Sequence, residues 1–466
     1  IASVCYTLVL ILSYLKIFSI YFSMIIAILI AKILTKILNF FGRGATTFPG
    51  KIALRLKPNI LHRLSENVEV ICVTGTNGKT TVCALISYLL EHNDCSYFVN
   101  KGGANMITGV ATAFINNSSA FGRCKCRYAV LECDENSLPA ILSYVTAEVI
   151  VVTNVFRDQL DRYGEVTKTL SKVAEGISYC PDAVLVLNGD CPLTFSLSHR
   201  FDNSCVTFGI SDSFTDGIVS DSRYCPFCNS VLDYNYTVYS QLGDFYCSRC
   251  GYKRMIPDFA ASDIIDLGER GSSFFVSSPL GEKYVSSSLG GIYNVYNYLC
   301  ACAVGYIVGT ENTDCLSSFS GAFGRMERFE YDGHSILLLL VKNPVGLSNC
   351  IRYVSKLKSD FDVCFALNDN DADGRDVSWI WDADFEPISY KNSHFVTTGL
   401  RAYDMALRLK YSGIDTEKVI DGEDYSLLAE YIKSSHRNFV IMSTYTSMMN
   451  MRREFVSQFG GKEFWK

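Results

Sequence analysis

The sequence predicts an α/β protein in which parallel strands alternate with helices. Four short apolar runs support this, each followed by a stretch of helical character: VEVICVTG (68–75), RYAVLEC (127–133), EVIVVTNV (148–155) and AVLVLNGD (183–190). Continuous apolar strands separated by helices are typical of a parallel sheet that is covered on both faces. Ligands of such sheets bind at the carboxyl ends of the strands, so the residues just after these runs are the first candidates for a site.

The composition excludes several classes of protein. With 466 residues, of which 48% are hydrophobic and 19% charged, the chain can bury two or three cores and is not disordered. The formal net charge of −6 argues against a general nucleic-acid-binding protein, which would present a basic surface. The 19 cysteines are scattered through apolar segments, which favours buried thiols in a reducing compartment over a disulfide framework.

The N-terminal segment 1–45 is predicted to associate with a membrane. Between Ile1 and Ala31 the only charged residue is Lys16, and the first acidic residue of the chain is Glu66. An apolar run of about 20 residues can cross a bilayer, and basic residues after it favour a cytoplasmic domain, so we expect one membrane-embedded helix. The alternatives are two short spans, an interfacial amphipathic helix over AKILTKILNFFGR, a signal peptide or a buried hairpin. The chain opens with Ile, and Met24 is a candidate natural start.

The first apolar strand runs into a glycine-rich turn, GTNGKTT (75–81), that opens a helix. Gly75 and Gly78 allow a tight turn with converging N–H groups, Lys79 supplies a positive charge, and Thr80 offers a hydroxyl to Mg²⁺. The turn is therefore a predicted phosphate-binding loop. It departs from the standard eight-residue loop because Val73 stands where that pattern has its first glycine. A plain strand-to-helix turn is the alternative.

Four cysteines follow the spacing of a metal site. They form the pattern C-x2-C-x18-C-x2-C, typical of a four-thiolate zinc ribbon, and are Cys225, Cys228, Cys247 and Cys250. Four thiolates close a tetrahedron and leave no open position, so the predicted zinc is structural and contributes to folding of an insert at 221–255. Redox pairs or a nucleic-acid contact are the alternatives, and the segment is not basic.

The shortened loop GTNGKTT resembles that of the Mur ligase family and of folylpolyglutamate synthases. These enzymes use ATP to activate a carboxylate as an acyl phosphate, which an amine then attacks. The resemblance implies magnesium on Thr80 and on Glu132 of LECDENS (131–137). It also implies a nucleotide site made of the whole loop, that is Gly75, Thr76, Asn77, Gly78, Lys79, Thr80 and Thr81.

Three further segments extend the resemblance. TNVFRDQLDRYG (153–164) matches a family segment, but Gln159 stands where most members carry a histidine metal ligand, which puts a second magnesium site in doubt. GGIYNVYNYLCACAVG (290–305) matches the helix whose asparagine reads the nucleotide base, which implies a site at Asn294. Taken alone, Asn294 and Asn297 would be amides on the surface of one helix face. FGRMERFE (323–330) resembles the hinge into a third domain and makes Arg325 a candidate nucleotide-binding residue.

The zinc ribbon is absent from ordinary Mur ligases and narrows the resemblance to the MurT branch, the ligase subunits of lipid II isoglutaminyl synthase. The C-terminal part agrees, with a predicted buried strand and helix at 337–351 and a strand with an acidic loop at 361–386. The resemblance implies that Asp376 of this loop is needed for amidation, where it would position or deprotonate ammonia or orient a partner's histidine. A solvated run of charges is the alternative.

These features together predict a Mur-ligase-type P-loop domain at 46–322, with a parallel sheet and the zinc-ribbon insert. A smaller α/β C-terminal domain at 323–466 and the hydrophobic N-terminal helix complete the predicted architecture. The resemblance implies ATP-dependent amidation of the α-carboxylate of the second-position D-glutamate of lipid II to D-isoglutamine, in peptidoglycan synthesis. The N-terminal helix would then hold the enzyme at the cytoplasmic face of the bacterial cell membrane, where it meets a lipid-linked substrate.

Ammonia for such an amidation comes from glutamine, and this sequence has no recognisable Cys-His glutaminase nucleophile. The resemblance therefore implies a heterodimer with a GatD-type glutamine amidotransferase subunit. Two other functions stay open. One is a Mur ligase that adds an amino acid to a peptidoglycan or folate-like acceptor, and the other is a membrane-anchored, nucleotide-gated zinc scaffold without catalysis.

Overall fold

The computed structural model describes most of the chain. The described ranges are 22–41, 45–100, 103–156, 166–212, 223–266, 271–310, 312–319, 326–357, 361–389 and 393–460. Within them, strands and helices alternate and the strands form two mostly parallel sheets and one separate hairpin, which confirms the predicted α/β class. The domain boundaries given above stay a prediction.

Within the described ranges, seventeen strands build these sheets. In chain order they are β1 (Glu69–Thr74), β2 (Tyr97–Val99), β3 (Tyr128–Glu132), β4 (Val149–Val152), β5 (Val184–Asn188), β6 (Cys205–Ile210), β7 (Asp233–Tyr239), β8 (Leu242–Tyr246), β9 (Phe259–Asp266), β10 (Ser272–Ser278), β11 (Gly281–Ser287), β12 (Met326–Tyr331), β13 (His334–Leu340), β14 (Phe361–Ala366), β15 (Phe395–Gly399), β16 (Lys418–Asp421) and β17 (Asn438–Ser443).

The described α-helices are α1 (Phe22–Phe40), α2 (Phe48–Leu56), α3 (Ile60–Ser65), α4 (Lys79–Glu91), α5 (Ile107–Asn116), α6 (Leu138–Leu142), α7 (Val166–Ile177), α8 (Pro192–Phe195), α9 (Ile292–Val308), α10 (Pro344–Ser355), α11 (Glu386–Ser389), α12 (Ala402–Tyr411), α13 (Tyr425–Ser435) and α14 (Tyr445–Phe459).

The first sheet has nine strands in the order β11-β10-β9-β6-β5-β4-β1-β3-β2. Neighbouring strands are parallel along the run β9-β6-β5-β4-β1-β3-β2. Strands β10 and β11 extend the edge at β9 as an antiparallel hairpin. Strand β1 lies between β3 and β4 and is buried from Val70 to Thr74. The loop after β1 therefore lies at the carboxyl edge of the sheet, between the ends of β3 and β4.

Helices α4 and α9 cover this sheet near the loop. Helix α4 buries residues spaced three and four apart, namely Val82, Leu85, Ile86, Leu89 and Leu90, which is the apolar stripe of a core-facing helix. Helix α9 is buried without a break from Asn294 to Gly305. Because burying a polar group without a partner costs free energy, the asparagines of α9 are expected to be hydrogen-bonded.

The second sheet has six strands in the order β12-β13-β17-β14-β15-β16. All neighbouring pairs are parallel except β12–β13, which is antiparallel. One core cluster packs on one face of this sheet beneath α10 and α12, and another packs on the opposite face beneath α13 and α14. The C-terminal part thus forms a three-layer α/β unit of its own.

Helix α1 lies against the first sheet's domain. Met24, Ala27, Ile28 and Ala31 are buried and belong to the main core cluster, and a side chain at Gly122 would touch Met24. The opposite face of α1 exposes large apolar side chains, which are Phe22, Ile26, Leu29, Ile33 and Ile37. Among the described residues, this is the one helix with the length and hydropathy to cross a membrane.

Strands β7 and β8 form a separate antiparallel hairpin. Its outer end has a small core of its own that includes Phe195, Phe245 and Tyr252. The tip, at the other end of the hairpin, lies in the main core, where Val238, Tyr239 and Leu242 are buried. The hairpin therefore spans the distance between the cysteine-rich segment and the centre of the first domain.

Candidate active site

The predicted phosphate loop, 75–81, connects β1 to α4 and has two glycines with positive φ, Gly75 at +121° and Gly78 at +90°. A Cβ atom at Gly75 would lie 2.3 Å from the Thr153 hydroxyl oxygen, and one at Gly78 would lie 2.5 Å from Oδ1 of Asn297. Both distances are well below contact, so any side chain here would displace the neighbouring element. The loop is thus packed between the end of β4 and helix α9.

The segment after β4 fixes the backbone of this loop. The carbonyl oxygen of Asn154 accepts from the N–H of Thr76 at 3.0 Å. The side chain of Asn154 accepts from the N–H of Asn77 at 2.9 Å and donates to the carbonyl oxygen of Asn77 at 3.0 Å. The first-turn N–H groups of an α-helix have no acceptor within their own helix, which makes the N-terminus of α4 a suitable position for an anion.

Lys79 is the first residue of α4 and forms a buried ion pair with Glu135. Lys79 Nζ lies 2.8 Å from Glu135 Oε1, and the two side chains are 5% and 6% exposed. Burial by itself lowers the pKa of Lys79, but the Glu135 carboxylate outweighs it and the pKa is raised. Burial raises the pKa of Glu135, and Lys79 offsets part of that rise. Lys79 therefore stays charged at neutral pH.

Thr80 and Glu132 meet at the carboxyl end of β3, where Thr80 Oγ1 donates to Glu132 Oε2 at 2.9 Å. The main chain of Glu132 is held by Asn100, whose amide donates to the Glu132 carbonyl and accepts from its N–H, each at 2.8 Å. A hydroxyl and a carboxylate oxygen are ligands that Mg²⁺ prefers. The pair therefore fits the predicted magnesium position.

Asn294 and Asn297 are buried in α9, so they are not the surface amides that the helix alone would suggest. Asn297 Nδ2 donates to Asn294 Oδ1 at 3.1 Å, and Asn294 Nδ2 donates to the carbonyl oxygen of Gly290 at 2.8 Å. Both line a cavity of about 370 Å³ that reaches from the phosphate loop to the C-terminal domain. A cavity of this size accepts a nucleoside.

The four cysteines of the predicted ribbon come together. Their sulfur atoms all lie within 4.8 Å of one another, with Cys225 to Cys250 and Cys228 to Cys247 each at 3.5 Å. A tetrahedral zinc thiolate site with bonds of about 2.3 Å needs sulfur atoms about 3.8 Å apart. The set is therefore compatible with zinc, and its four thiolates would complete the coordination shell.

Asp376 lies in the C-terminal domain, in the acidic loop after β14, and its carboxylate accepts from the N–H of Ser378 at 2.8 Å. The same loop is attached to the start of α14, because Asp373 accepts from the N–H of Thr446 at 2.7 Å. Burial raises the pKa of Asp373, and its bonds with Thr446 offset part of that rise. Asp376 thus lies on a loop that is attached to the start of α14 through Asp373.

Two protein-family profiles match the chain. The Mur ligase middle domain matches residues 73–242, which include the phosphate loop and Glu132. The MurT ligase C-terminal domain matches residues 340–448, which include Asp376.

Full-length relatives decide the family. The chain is 35% identical over 437 residues to the lipid II isoglutaminyl synthase (glutamine-hydrolyzing) subunit MurT of Streptococcus pneumoniae (strain ATCC BAA-255 / R6), covering 91% of this chain and 94% of that relative. It is 34% identical over 429 residues to the subunit of the same name in Staphylococcus aureus (strain COL), covering 90% and 95%. The chain belongs to the MurT family of Mur ligases.

Solved structures share the fold. A pseudomurein peptide ligase type C from Methanothermus fervidus has a TM-score of 0.65 at 21% identity, covering 84% of this chain and 78% of that one. MurF ligase from Thermotoga maritima in complex with ADP has a TM-score of 0.62 at 15% identity, covering 88% and 84%. At these identities the likeness shows the fold alone, whereas membership of the Mur ligases implies ATP and Mg²⁺.

The structure brings the loop 75–81, Glu132 and Asn294 to one edge of the first sheet, whereas Asp376 belongs to the second domain. Arg325 and Gln159, both singled out in the sequence, lie outside the described residues.

Several residues that build this site had no role predicted from the sequence. Glu135 pairs with Lys79, Asn154 holds the loop, Asn343 reaches it from the C-terminal domain, and Arg328 and Tyr239 line the cavity. Glu135 and Asn154 follow buried strands, in segments already quoted for other residues, and that position was an available signal.

Proposed function

We propose that this chain is the ATP-dependent subunit of a lipid II isoglutaminyl synthase and acts in peptidoglycan synthesis. It would convert the α-carboxylate of the second-position D-glutamate of lipid II into an amide. The observation that carries this proposal is the match to subunits of that name at 34–35% identity over at least 90% of the chain. The two family profiles, at 73–242 and 340–448, include the phosphate loop and the acidic loop.

The proposed reaction has two steps. A carboxylate oxygen of the D-glutamate attacks the γ-phosphorus of ATP, so that an acyl phosphate forms and ADP leaves. Ammonia then attacks the acyl carbon, phosphate leaves with the C–O bond electrons, and one proton is lost from nitrogen to give the amide. Charge builds up on the transferred phosphoryl group in the first step, and positioning plus electrostatics carries most of such a transfer.

Three features of the chain would supply this stabilisation. The N-terminus of α4 would face the phosphates, and Lys79 would bring a positive charge to the same place. Thr80 and Glu132 would hold magnesium, which supplies positive charge to the phosphate oxygens when bound. Glu135 would act as a positioning residue, because it holds the ammonium group of Lys79 at the loop.

Asp376 is the proposed catalytic carboxylate of the second step. Its loop is bonded to Thr446 at the start of α14, and the neighbouring Tyr445 lies beside Gly103 of the first domain. The loop containing Gly103 continues to Asn105, whose carbonyl oxygen accepts from the N–H of Asp134 at 3.0 Å. The start of α14, which is bonded to the acidic loop, thus lies near the loop that is bonded to the segment after Glu132, which supports a site between the domains.

A GatD-type glutaminase is the proposed partner, since the subunit names of the relatives include glutamine hydrolysis and imply another subunit. Zinc is the proposed occupant of the Cys225, Cys228, Cys247 and Cys250 cluster, in a structural role. Both assignments rest on family membership together with the chemistry of the residues described.

Association with the cytoplasmic face of the cell membrane is also part of this proposal. One face of α1 is covered by protein at Met24, Ala27 and Ile28, which leaves the opposite apolar face available to lipid. This arrangement favours a helix that lies in the interface over a span through residues 22–40, and Lys36 adds charge that attracts anionic lipid. Residues 1–21 lie outside the described ranges.

The test is reconstitution of the full chain with lipid II, ATP, Mg²⁺ and a GatD-type glutaminase, followed by mass spectrometry of lipid II. We expect the small mass decrease of acid-to-amide conversion, with glutamine or with added ammonium salt as the nitrogen source. Asp376→Asn should lose amidation with either nitrogen source while ATP binding is kept. Incorporation of an amino acid without any glutaminase would instead support the other class of Mur ligase and overturn the proposal.

A further inference from the structure

The zinc ribbon reaches the nucleotide cavity through its hairpin. We infer that this hairpin is part of the nucleotide site, where Tyr239 forms an aromatic wall for the base and the metal-bound cysteines hold the hairpin in place. The inference rests on the proposed use of ATP, and it assigns the insert a role in nucleotide recognition in addition to folding.

Burial along the hairpin changes from the cysteine end to the tip. In β7, Asp233 is exposed, Tyr236 is partly buried, and Thr237, Val238 and Tyr239 are buried. In β8, Leu242 at the tip is buried whereas Tyr246 beside the second cysteine pair is exposed. An insert that served only to hold its own metal would have no need of a tip inside the main core.

Tyr239 at the tip contributes to the wall of the cavity that Asn294 and Asn297 also line. Its ring packs against Tyr296 with ring centres 5.8 Å apart, and against Phe156 at 6.0 Å. A lining that combines aromatic rings with amides suits a flat heterocycle, since rings stack on it and amides bind its edge. The chemical class that fits is a purine nucleoside di- or triphosphate with its phosphates on the loop 75–81.

The tip is also bonded to the segment that positions the phosphate loop. Gln241 is completely buried, and its Nε2 donates to the carbonyl oxygen of Val155 at 2.9 Å. Val155 follows Asn154, whose main chain and side chain fix Thr76 and Asn77. Displacement of the hairpin would therefore disturb both the base wall and the loop.

Asp190 joins the hairpin to helix α9. This fully buried carboxylate forms an ion pair with Arg254 at 2.6 Å and accepts from the Tyr296 hydroxyl at 2.7 Å. The main-chain carbonyl oxygen of Asp190 accepts from the N–H of Gly243 in the hairpin at 3.0 Å. Tyr296 is the ring that packs on Tyr239, so Asp190 holds Tyr296 through its carboxylate and the hairpin through its main-chain carbonyl oxygen.

Main-chain hydrogen bonds beside the cysteine cluster hold the segment that leads to Arg254. The N–H of Cys247 donates to the carbonyl oxygen of Tyr252 at 2.7 Å, and the N–H of Arg254 donates to that of Phe245 at 2.9 Å. These bonds fold the residues after Cys250 back onto β8. Metal binding at the cysteines would stabilise this turn, and through Arg254 it would stabilise the contact with Asp190.

The first experiment measures binding of MgADP and of inorganic triphosphate to the full chain by calorimetry. Tyr239→Leu keeps a large apolar side chain but removes the ring, so we expect MgADP binding about tenfold weaker, as expected when a stacking contact is lost. Binding of inorganic triphosphate should stay the same, and Tyr239→Phe should bind MgADP like the unsubstituted protein. The matched control is Tyr246→Leu, an exposed tyrosine of the same hairpin, which should change neither affinity.

Equal MgADP affinity of Tyr239→Leu and the unsubstituted protein, at the same zinc content, would overturn the inference. If the unsubstituted protein binds no MgADP, the proposed function fails as well, and the two failures are thereby distinguished. The second experiment does not depend on a variant that folds. Removal of zinc from the full chain, followed by removal of the chelator, should weaken MgADP binding at least tenfold, and added Zn²⁺ should restore it; unchanged affinity without zinc would contradict the role of the metal.

Discussion

Asn343 of the C-terminal domain donates a hydrogen bond from Nδ2 to Oδ1 of Asn77 in the phosphate loop, over 3.1 Å. Oδ1 of the same Asn343 side chain accepts from the N–H of Gly346 at 2.8 Å and caps helix α10. One amide group thus joins the first helix of the C-terminal domain to the loop that would bind phosphate, so the position of that domain is coupled to the loop.

Substitution of Asn343 should separate these two roles. Asn343→Asp keeps an oxygen for the helix cap but loses the donor to Asn77 and adds negative charge near the phosphates. We expect several-fold weaker MgADP binding with little change in melting temperature. Asn343→Ala should in addition lose about 1 kcal/mol of stability with the cap. Calorimetry and thermal melts measure both effects, and unchanged affinity in Asn343→Asp would show that the contact with Asn77 has no part in nucleotide binding.

Lys79→Met should abolish ATP binding and amidation, and it should also reduce stability. The substitution leaves Glu135 buried without its partner, and breaking a buried ion pair in this way costs about 3–5 kcal/mol. Lys79→Met combined with Glu135→Gln removes the unpaired carboxylate, so this double variant should recover stability without recovering ATP binding. Turnover at the unsubstituted rate in Lys79→Met would refute the assignment of the phosphate loop.

The pH dependence of these two variants has a defined sign. Burial already raises the pKa of Glu135 above its ordinary value of 4.5, and loss of Lys79 raises it further because the attraction that lowered it is gone. The folded variant then holds the proton more tightly than the unfolded chain, so its stability falls as the pH rises from 4.5 through the raised pKa. The melting temperature of Lys79→Met should therefore drop below that of the double variant as the pH approaches neutrality, and a constant difference would contradict this account.

Loss of the zinc ligands should destabilise the insert. Replacement of Cys225 and Cys228 with serine should lower the zinc content, the yield and the melting temperature, because thiolate coordination contributes directly to folding. The control is Cys315→Ser, a partly exposed cysteine outside the ribbon, which should alter none of the three. Elemental analysis and thermal melts provide the measurements, and a stable zinc-free double variant would exclude a structural metal.

Membrane binding should depend on the exposed face of α1. Ile33→Glu combined with Ile37→Glu places charge on two side chains that are 56% and 47% exposed, so it should lower co-sedimentation with anionic vesicles without a change in melting temperature. Tyr411→Glu, on an exposed position of α12, is the control and should bind vesicles normally. Equal vesicle binding by all three proteins would rule out this face as the contact with lipid.

Local patterns in the sequence were enough to predict the parallel sheet, the phosphate loop and the cysteine cluster, because strand, turn and helix signals lie within a few residues of each other. Partners that are distant in sequence were not predictable in this way. Lys79 and Glu135 are 56 residues apart, and Asn77 and Asn343 are 266 apart. The depth of the hairpin tip was likewise hidden, since YTVYSQLG (236–243) mixes polar and apolar residues as an exposed hairpin would. Only the packing of Tyr239 and Gln241 in the folded chain shows their positions.

The distance between Tyr445 and Gly103 depends on how the two domains of this enzyme are positioned. A side chain at position 103 would touch the Tyr445 hydroxyl at 3.5 Å, although the two residues belong to different domains. A movement of one domain relative to the other on this side would therefore change the distance between these two residues. A pair of spectroscopic labels at positions 103 and 445 would measure the distance between the two domains, and how long they stay apart, during each turnover.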